Sequence, residues 1–172
     1  AIIFYFRIQI SSIIYSFFST FITRKVLKED NNKLATYIFV ANIPIFILGF
    51  LIKLYWPNFS DSNFRGLFFI AITSILMGLF LALAEIYGNK KKLFNDIIFI
   101  DVIWLGLAQS LALFPGVSRS GITLTSALFS GIERKTAARL SFLVGIPAIS
   151  ISGLVELFTL FRTLSVTDVL PT

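Results

Sequence analysis

The sequence predicts an all-α, polytopic integral membrane protein with a re-entrant helix hairpin, and three observations carry that prediction. First, 56% of the 172 residues are hydrophobic, 20 are Phe, only 14% are charged and the mean hydropathy is +0.87, so the bilayer is the solvent. Second, apolar runs long enough to span alternate with short basic loops. The net charge of +6 sits in those loops, which reads as a topology signal. No basic stripe interleaved with aromatics appears outside the apolar runs, so no nucleic-acid partner is expected. Third, the segment Pro115-Gly116-Val117-Ser118-Arg119-Ser120-Gly121-Ile122-Thr123-Leu124 sets an arginine among hydroxyls and glycines between two apolar stretches.

The elements follow in order. Residues 1–23, apolar apart from Arg7, Gln9 and scattered Ser and Thr, suggest the tail of one spanning helix and an interfacial or second helix. Arg24 to Lys33 is a solvated basic loop. Thr36 to Trp56 is long enough to cross at about 1.5 Å per residue, with Pro44 near its middle. A polar turn runs to about Arg65, flanked by Tyr55 and Trp56 as interfacial aromatics. Gly66 to Tyr87 crosses back to Gly88-Asn89-Lys90-Lys91-Lys92, the densest positive cluster. Both basic loops then share one side, which the excess of Lys and Arg makes cytoplasmic.

Ile97 to Phe114 is apolar, carries Asp101 and Gln109, and ends at the break; Ile122 to Gly131 leaves it. At about 1.5 Å per residue the second segment covers half a bilayer. The pair over about 97–131 therefore reads as a hairpin re-entering from the cytoplasmic side, with Glu133, Arg134, Lys135 and Arg139 at its exit. Phe142 to Phe161 crosses outward, interrupted by Gly145 and Pro147, and Arg162 to Thr172 is a polar tail. Residues 1–172 make one membrane domain. Broken helices often come as inverted pairs, yet one such break is present, Ala1 stands inside an apolar run and the one methionine is Met77. The expectation is a fragment, half of an inverted repeat.

The break has the composition of an anion site. A buried arginine at bilayer depth costs about 2.5 to 3.5 kcal/mol on insertion scales and needs a partner. Pro115 and Gly116 can halt the incoming helix, and Gly121 leaves backbone free to approach a ligand. Ser118 or Ser120 can cap a second helix, whose unpaired N–H groups and positive dipole end favour an oxyanion. Arg119 supplies a planar fork for two phosphate oxygens, and the hydroxyls of Ser118, Ser120 and Thr123 satisfy the rest. The plainer alternative is a structural helix break in which the serines pair with backbone and Arg119 holds a carboxylate on another helix.

The other polar residues are weighed the same way. Gln109 is either a substrate contact or half of an interhelical hydrogen bond. Glu85, beside Lys90, reads as a snorkelled interfacial carboxylate, and Asp96 and Asp101 as helix caps. Glu156 offers a partner for Arg119 or for a cation. With no Cys and no His, disulfides, thiolate chemistry, a Ser-His-Asp triad and histidine-bound zinc are excluded within these residues. No acidic pair has the helical spacing of a metal site.

The segment Leu113-Phe114-Pro115-Gly116-Val117-Ser118-Arg119-Ser120-Gly121-Ile122-Thr123 resembles the undecaprenyl-diphosphate phosphatase family, known for bacitracin resistance. Its flanks fit too: Gly106-Leu107-Ala108-Gln109-Ser110-Leu111-Ala112-Leu113, Ala138-Arg139-Leu140-Ser141-Phe142-Leu143, Ile146-Pro147 and Ile43-Pro44. The resemblance implies a multi-pass enzyme of the bacterial inner membrane that removes the terminal phosphate of a polyprenyl diphosphate lipid and so recycles the carrier for cell-wall synthesis. It implies that Ser118, Arg119 and Thr123 are catalytic and hold the diphosphate, with Gly116, Ser120, Gly121 and Gln109 binding substrate. It also implies a divalent cation, Mg or Ca, and allows a homodimer. The family's second motif, a glutamate-rich helix and a Pro-Ile-Ser-Ser-Ser-Gly-His loop thought to supply metal-associated acids and a nucleophile or base, does not occur in these residues. They would carry the phosphate-clamping half. A transporter or flippase that binds an anionic head group, or a non-catalytic remnant, would use the same clamp.

Overall fold

The computed structural model describes residues 29–56 and 63–163, together with Ser11 and Phe59. The stretches 1–23 and Arg24 to Lys28, and the tail beyond Thr163, lie outside the described residues apart from Ser11. Within them the fold is all-α, with no strand. Five helices follow one another: α1 (Glu29–Tyr55), α2 (Leu67–Tyr87), α3 (Phe99–Ser110), α4 (Arg119–Phe129) and α5 (Arg134–Thr163). Short 3-10 turns at Asn63–Arg65, Phe94–Asp96 and Leu111–Leu113 join or extend them. The helices α1, α2 and α5 contain spans long and apolar enough to cross a membrane. This is the integral membrane protein that the composition requires.

Two helices are longer than hydropathy indicates. α1 begins at Glu29 inside the expected basic loop, and α5 begins at Arg134 rather than Phe142. At the start of α5, Ala137 N–H donates to the Glu133 carbonyl at 2.8 Å, and Arg, Lys, Ala and Leu all propagate a helix well. A hydropathy reading ends where charge begins, whereas a helix continues into water. Gly145 and Pro147 do not interrupt α5, nor does Pro44 interrupt α1.

Both carboxylates read as caps act as such. Asp96 accepts from Leu93 N–H at 2.9 Å and Asp101 from Ile98 N–H at 3.1 Å. α4 ends in a Schellman arrangement: Gly131, at φ 82°, donates to Leu128 at 3.0 Å and Ile132 to Ala127 at 3.1 Å. The next residues tie this end to the α2–α3 loop, through Lys92 N–H to the Gly131 carbonyl and Glu133 N–H to the Lys92 carbonyl, both 2.9 Å. The open ends of α3 and α4 therefore lie together, beside the end of α2.

The core lies between α1, α3, α4 and α5 and includes Ile38, Ala41, Val102, Leu105, Leu128, Leu140 and Val144. α1 and α3 approach closely because Gly106 has no side chain: a Cβ there would stand 2.7 Å from the Ala41 carbonyl oxygen. α2 packs on α4 but buries only Ala84, leaving its Leu, Ile and Phe side chains outward as a bilayer-facing helix does.

The two ends of the bundle differ in chemistry. At one, Glu85 pairs with Lys90 and Arg134, both at 2.7 Å, Lys92 pairs with Asp101 at 3.0 Å, and Lys33 donates to the Asn95 carbonyl at 3.0 Å. Glu85, read as an interfacial carboxylate, thus holds the first residue of α5 as well as Lys90. At the other end, Trp56, Phe59, Phe64, Phe69 and Phe114 form an aromatic cluster, edge-on except for the tilted Phe59–Phe64 pair, with ring centres 4.9 to 6.2 Å apart.

Candidate anion site at the helix break

α3 does not run to Phe114. After Ser110 it tightens into the Leu111–Leu113 3-10 turn, closed by Phe114 N–H to Leu111 at 3.0 Å. A β-turn follows, with Val117 N–H donating to the Phe114 carbonyl at 3.2 Å. Pro115 is its second residue and Gly116, at φ 89°, its third, the type II pattern. Gly116 serves the turn and its packing: a Cβ would stand 2.0 Å from Thr73 Oγ1. α2 holds this tip from outside, with Thr73 Oγ1 3.0 Å from the Pro115 carbonyl and Ser74 donating to Gly116 O at 3.2 Å. Thr73 lies 14 residues before the end of α2, which is about 21 Å along the helix. The break thus sits deep, toward the aromatic end.

Of the two serines that could cap α4, Ser118 does so. Its backbone is extended and its Oγ accepts from Gly121 N–H at 3.2 Å, so α4 begins three residues earlier than Ile122. Gly121 makes this possible, because a Cβ there would crowd Ser118 Cβ at 3.1 Å. Ser118 and Ser120 are exposed. Helix geometry leaves the amides of Arg119 and Ser120 without helical acceptors.

Arg119 is half-buried, and its Nη1 is a buried donor with no hydrogen-bond partner. Among the described residues no carboxylate pairs with it; Glu156, read as one possible partner, is exposed and forms no ion pair. The plain helix break would have given Arg119 an internal carboxylate, and these residues do not supply one.

Thr123 and Gln109 are placed elsewhere. Thr123 is fully buried; its Oγ1 lies 2.9 Å from the Arg119 carbonyl and 2.6 Å from Ser141 Oγ on α5. Ser141, also buried, reaches the Ser120 carbonyl at 2.9 Å. Gln109 Nε2 donates to Asn42 Oδ1 at 3.1 Å, and Asn42 Nδ2 donates to Val144 O at 3.1 Å, locking α1, α3 and α5 together. Gln109 is the interhelical partner of its second reading, although its Oε1 remains a buried acceptor without a donor. Sequence reasoning missed Asn42, Thr73, Ser74 and Ser141. Each was visible as a polar residue within an apolar run.

A groove of about 710 Å³ adjoins the break. Leu111 and Ile122 line it near the break, Trp104, Phe80 and Phe129 along its walls, and Lys92 and Ser130 at the charged end. Among the described residues no three of His, Cys, Asp and Glu converge as metal ligands would.

The family of the bacitracin resistance protein BacA matches residues 1–170. The chain belongs to the BacA family. It is 76% identical over 162 residues to a Prochlorococcus marinus (strain NATL1A) protein named undecaprenyl-diphosphatase, covering 94% of this chain and 58% of that relative. A Synechococcus sp. (strain CC9311) protein of the same name is 44% identical over 171 residues, covering 99% of this chain and 60% of the relative. A third, from Trichodesmium erythraeum, is 46% identical over 160 residues, covering 93% of this chain and 51% of the relative. The chain thus spans about half to three-fifths of these BacA relatives. Its Ser118–Arg119–Ser120 break lies inside the matched residues.

Proposed function

We propose that the protein carrying these residues hydrolyses undecaprenyl diphosphate to undecaprenyl phosphate and phosphate, and that the break binds the diphosphate. One observation carries the reading: Arg119 presents a buried, unpartnered guanidinium nitrogen at the N-terminus of a helix capped by a neutral serine. A diphosphate supplies the missing acceptors. Arg119 would grip two oxygens bidentately, the first-turn amides of α4 would face another, and Ser118 would donate its hydroxyl proton. Phosphoryl transfer rests mostly on positioning and on neutralising charge at the non-bridging oxygens, and these groups do both.

Gly116, Gly121, Thr123 and Gln109 enter this reading as groups that shape the clamp, since turn, cap and buried hydrogen bonds already occupy them. The prenyl chain would lie in the groove between α2, α3 and α4, whose walls are apolar and which adjoins the break. Both segments of the α3–α4 pair return to the charged end, which supports a hairpin that re-enters the bilayer; since broken helices often come as inverted pairs, it would be one half of such a repeat. A divalent cation belongs to the family resemblance; among the described residues no three His, Cys, Asp or Glu side chains converge to hold one. The basic residues gathered at one end support a place in the bacterial inner membrane with that end cytoplasmic. The outward apolar side chains of α2 leave room for pairing of two copies.

The test is Arg119→Lys in the full-length protein. Phosphate release from undecaprenyl diphosphate should fall about 100-fold, as for loss of one oriented charge-stabilising donor, because a lysine cannot reproduce the fork. Near-normal turnover would overturn the assignment. Retained lipid binding without phosphate release in the unaltered protein would favour a transporter.

A further inference from the structure

The hydroxyls behind the break form a connected hydrogen-bond network. Ser141 on α5 has one proton and two contacts, the Ser120 carbonyl at 2.9 Å and Thr123 Oγ1 at 2.6 Å. A carbonyl only accepts, so Ser141 satisfies both contacts when it donates to Ser120 and accepts from Thr123, whose Oγ1 also faces the carbonyls of Arg119 at 2.9 Å and Ser120 at 3.2 Å. In the reverse arrangement Thr123 donates to the Arg119 carbonyl and Ser141 to Thr123, and the Ser120–Gly121 peptide receives no proton from Ser141. Ser120 C=O and Gly121 N–H belong to one peptide unit, and Gly121 N–H donates to Ser118 Oγ at 3.2 Å. In the first arrangement the chain runs Thr123 to Ser141 to the Ser120–Gly121 peptide to Ser118, each link donating in the same direction. Hydrogen bonds in such a series polarise one another, and Ser141 and Thr123 are buried away from competing water.

We infer that the first arrangement holds and that Ser141 is a positioning residue of the anion site. It pins the first turn of α4 to α5, strengthens Gly121 N–H as a donor, and thereby commits a lone pair of exposed Ser118 inward so that its own proton points to the ligand. Ser141 does not touch the ligand. Its effect on substrate rests on the proposed diphosphate clamp, whereas its effect on Gly121 does not.

The experiment uses the protein in detergent micelles with inorganic pyrophosphate as probe and the Gly121 amide proton resonance as a second readout. Ser141→Ala should move the Gly121 amide proton upfield and weaken pyrophosphate binding about three- to tenfold, the worth of one hydrogen bond. Ser141→Thr, which keeps the hydroxyl, should restore both. Thr123→Val, which removes only the first donor, should move Gly121 the same way by less, and it serves if Ser141→Ala does not fold. An unmoved Gly121 resonance in either folded variant overturns the relay, as does unchanged affinity in Ser141→Ala. Failure of the unaltered protein to bind pyrophosphate would sink the clamp instead, while the Gly121 resonance still reports on Ser141.

Discussion

The N-termini of α3 and α4 present the same backbone problem and solve it oppositely. At α3, the Asp101 carboxylate accepts from Ile98 N–H and pairs with Lys92, so the positive helix end already holds an anion from its own chain. At α4, the cap is neutral Ser118, the adjacent charge is Arg119, and no described carboxylate answers it. A helix end closed by its own carboxylate is architecture. One left cationic beside an orphaned guanidinium nitrogen suits the anion proposed for it.

The largest effect should come from making α4 resemble α3. In Ser118→Asp the helix should stay capped, since Asp caps as well as Ser. The carboxylate would repel the ligand at a cost of several kcal/mol, so pyrophosphate affinity should drop by about 100-fold or more in titration calorimetry while the melting transition holds. Retained affinity would mean that the ligand sits elsewhere. Gly116→Ala breaks the α4 end without altering charge. A side chain at this positive φ, forced onto Thr73, should cost about 1–3 kcal/mol, read as a shifted denaturant midpoint; an unshifted midpoint would refute the packed turn.

Asp101→Asn tests the α3 side. Losing a charge-assisted bond to Lys92 should cost about 1–3 kcal/mol with pyrophosphate affinity unchanged, and a fall in affinity would erase the distinction between the two ends. Smallest is Glu85→Gln. Lys90 and Arg134 lose an interfacial partner, and the stability change should shrink further as salt is added; a large, salt-independent change would show that this pairing carries the fold.

Much of this was legible because membranes impose strong patterns. Apolar run length located α1, α2 and most of α5, and Asp96 and Asp101 could be placed as caps because acids favour helix starts. The break was legible from Pro115, Gly116 and Arg119, whose local preferences hold in almost any setting. The choice between Ser118 and Ser120 as cap was not, because both have the right chemistry and the decision depends on where the Phe114–Val117 turn releases the chain. Hydropathy also truncated α1 and α5, since it reports what a residue's surroundings must be rather than where backbone bonding stops.

The sequence by itself determined the solvent, the helical class and the presence of a cationic break between apolar helices, since these depend on composition and on neighbours along the chain. Tertiary structure alone decided which polar groups remain free. Thr123 reads as a ligand to phosphate from its place in the chain, and α5 brings Ser141 to its hydroxyl; Gln109 reads as a substrate contact, and α1 brings Asn42 to its amide. Arg119 is equally able to hold a carboxylate by its chemistry, and packing gives it none among the described residues. Hydrogen-bonding capacity is set by residue type, but whether it is already spent depends on contacts between residues 18 to 67 positions apart, which local sequence cannot encode.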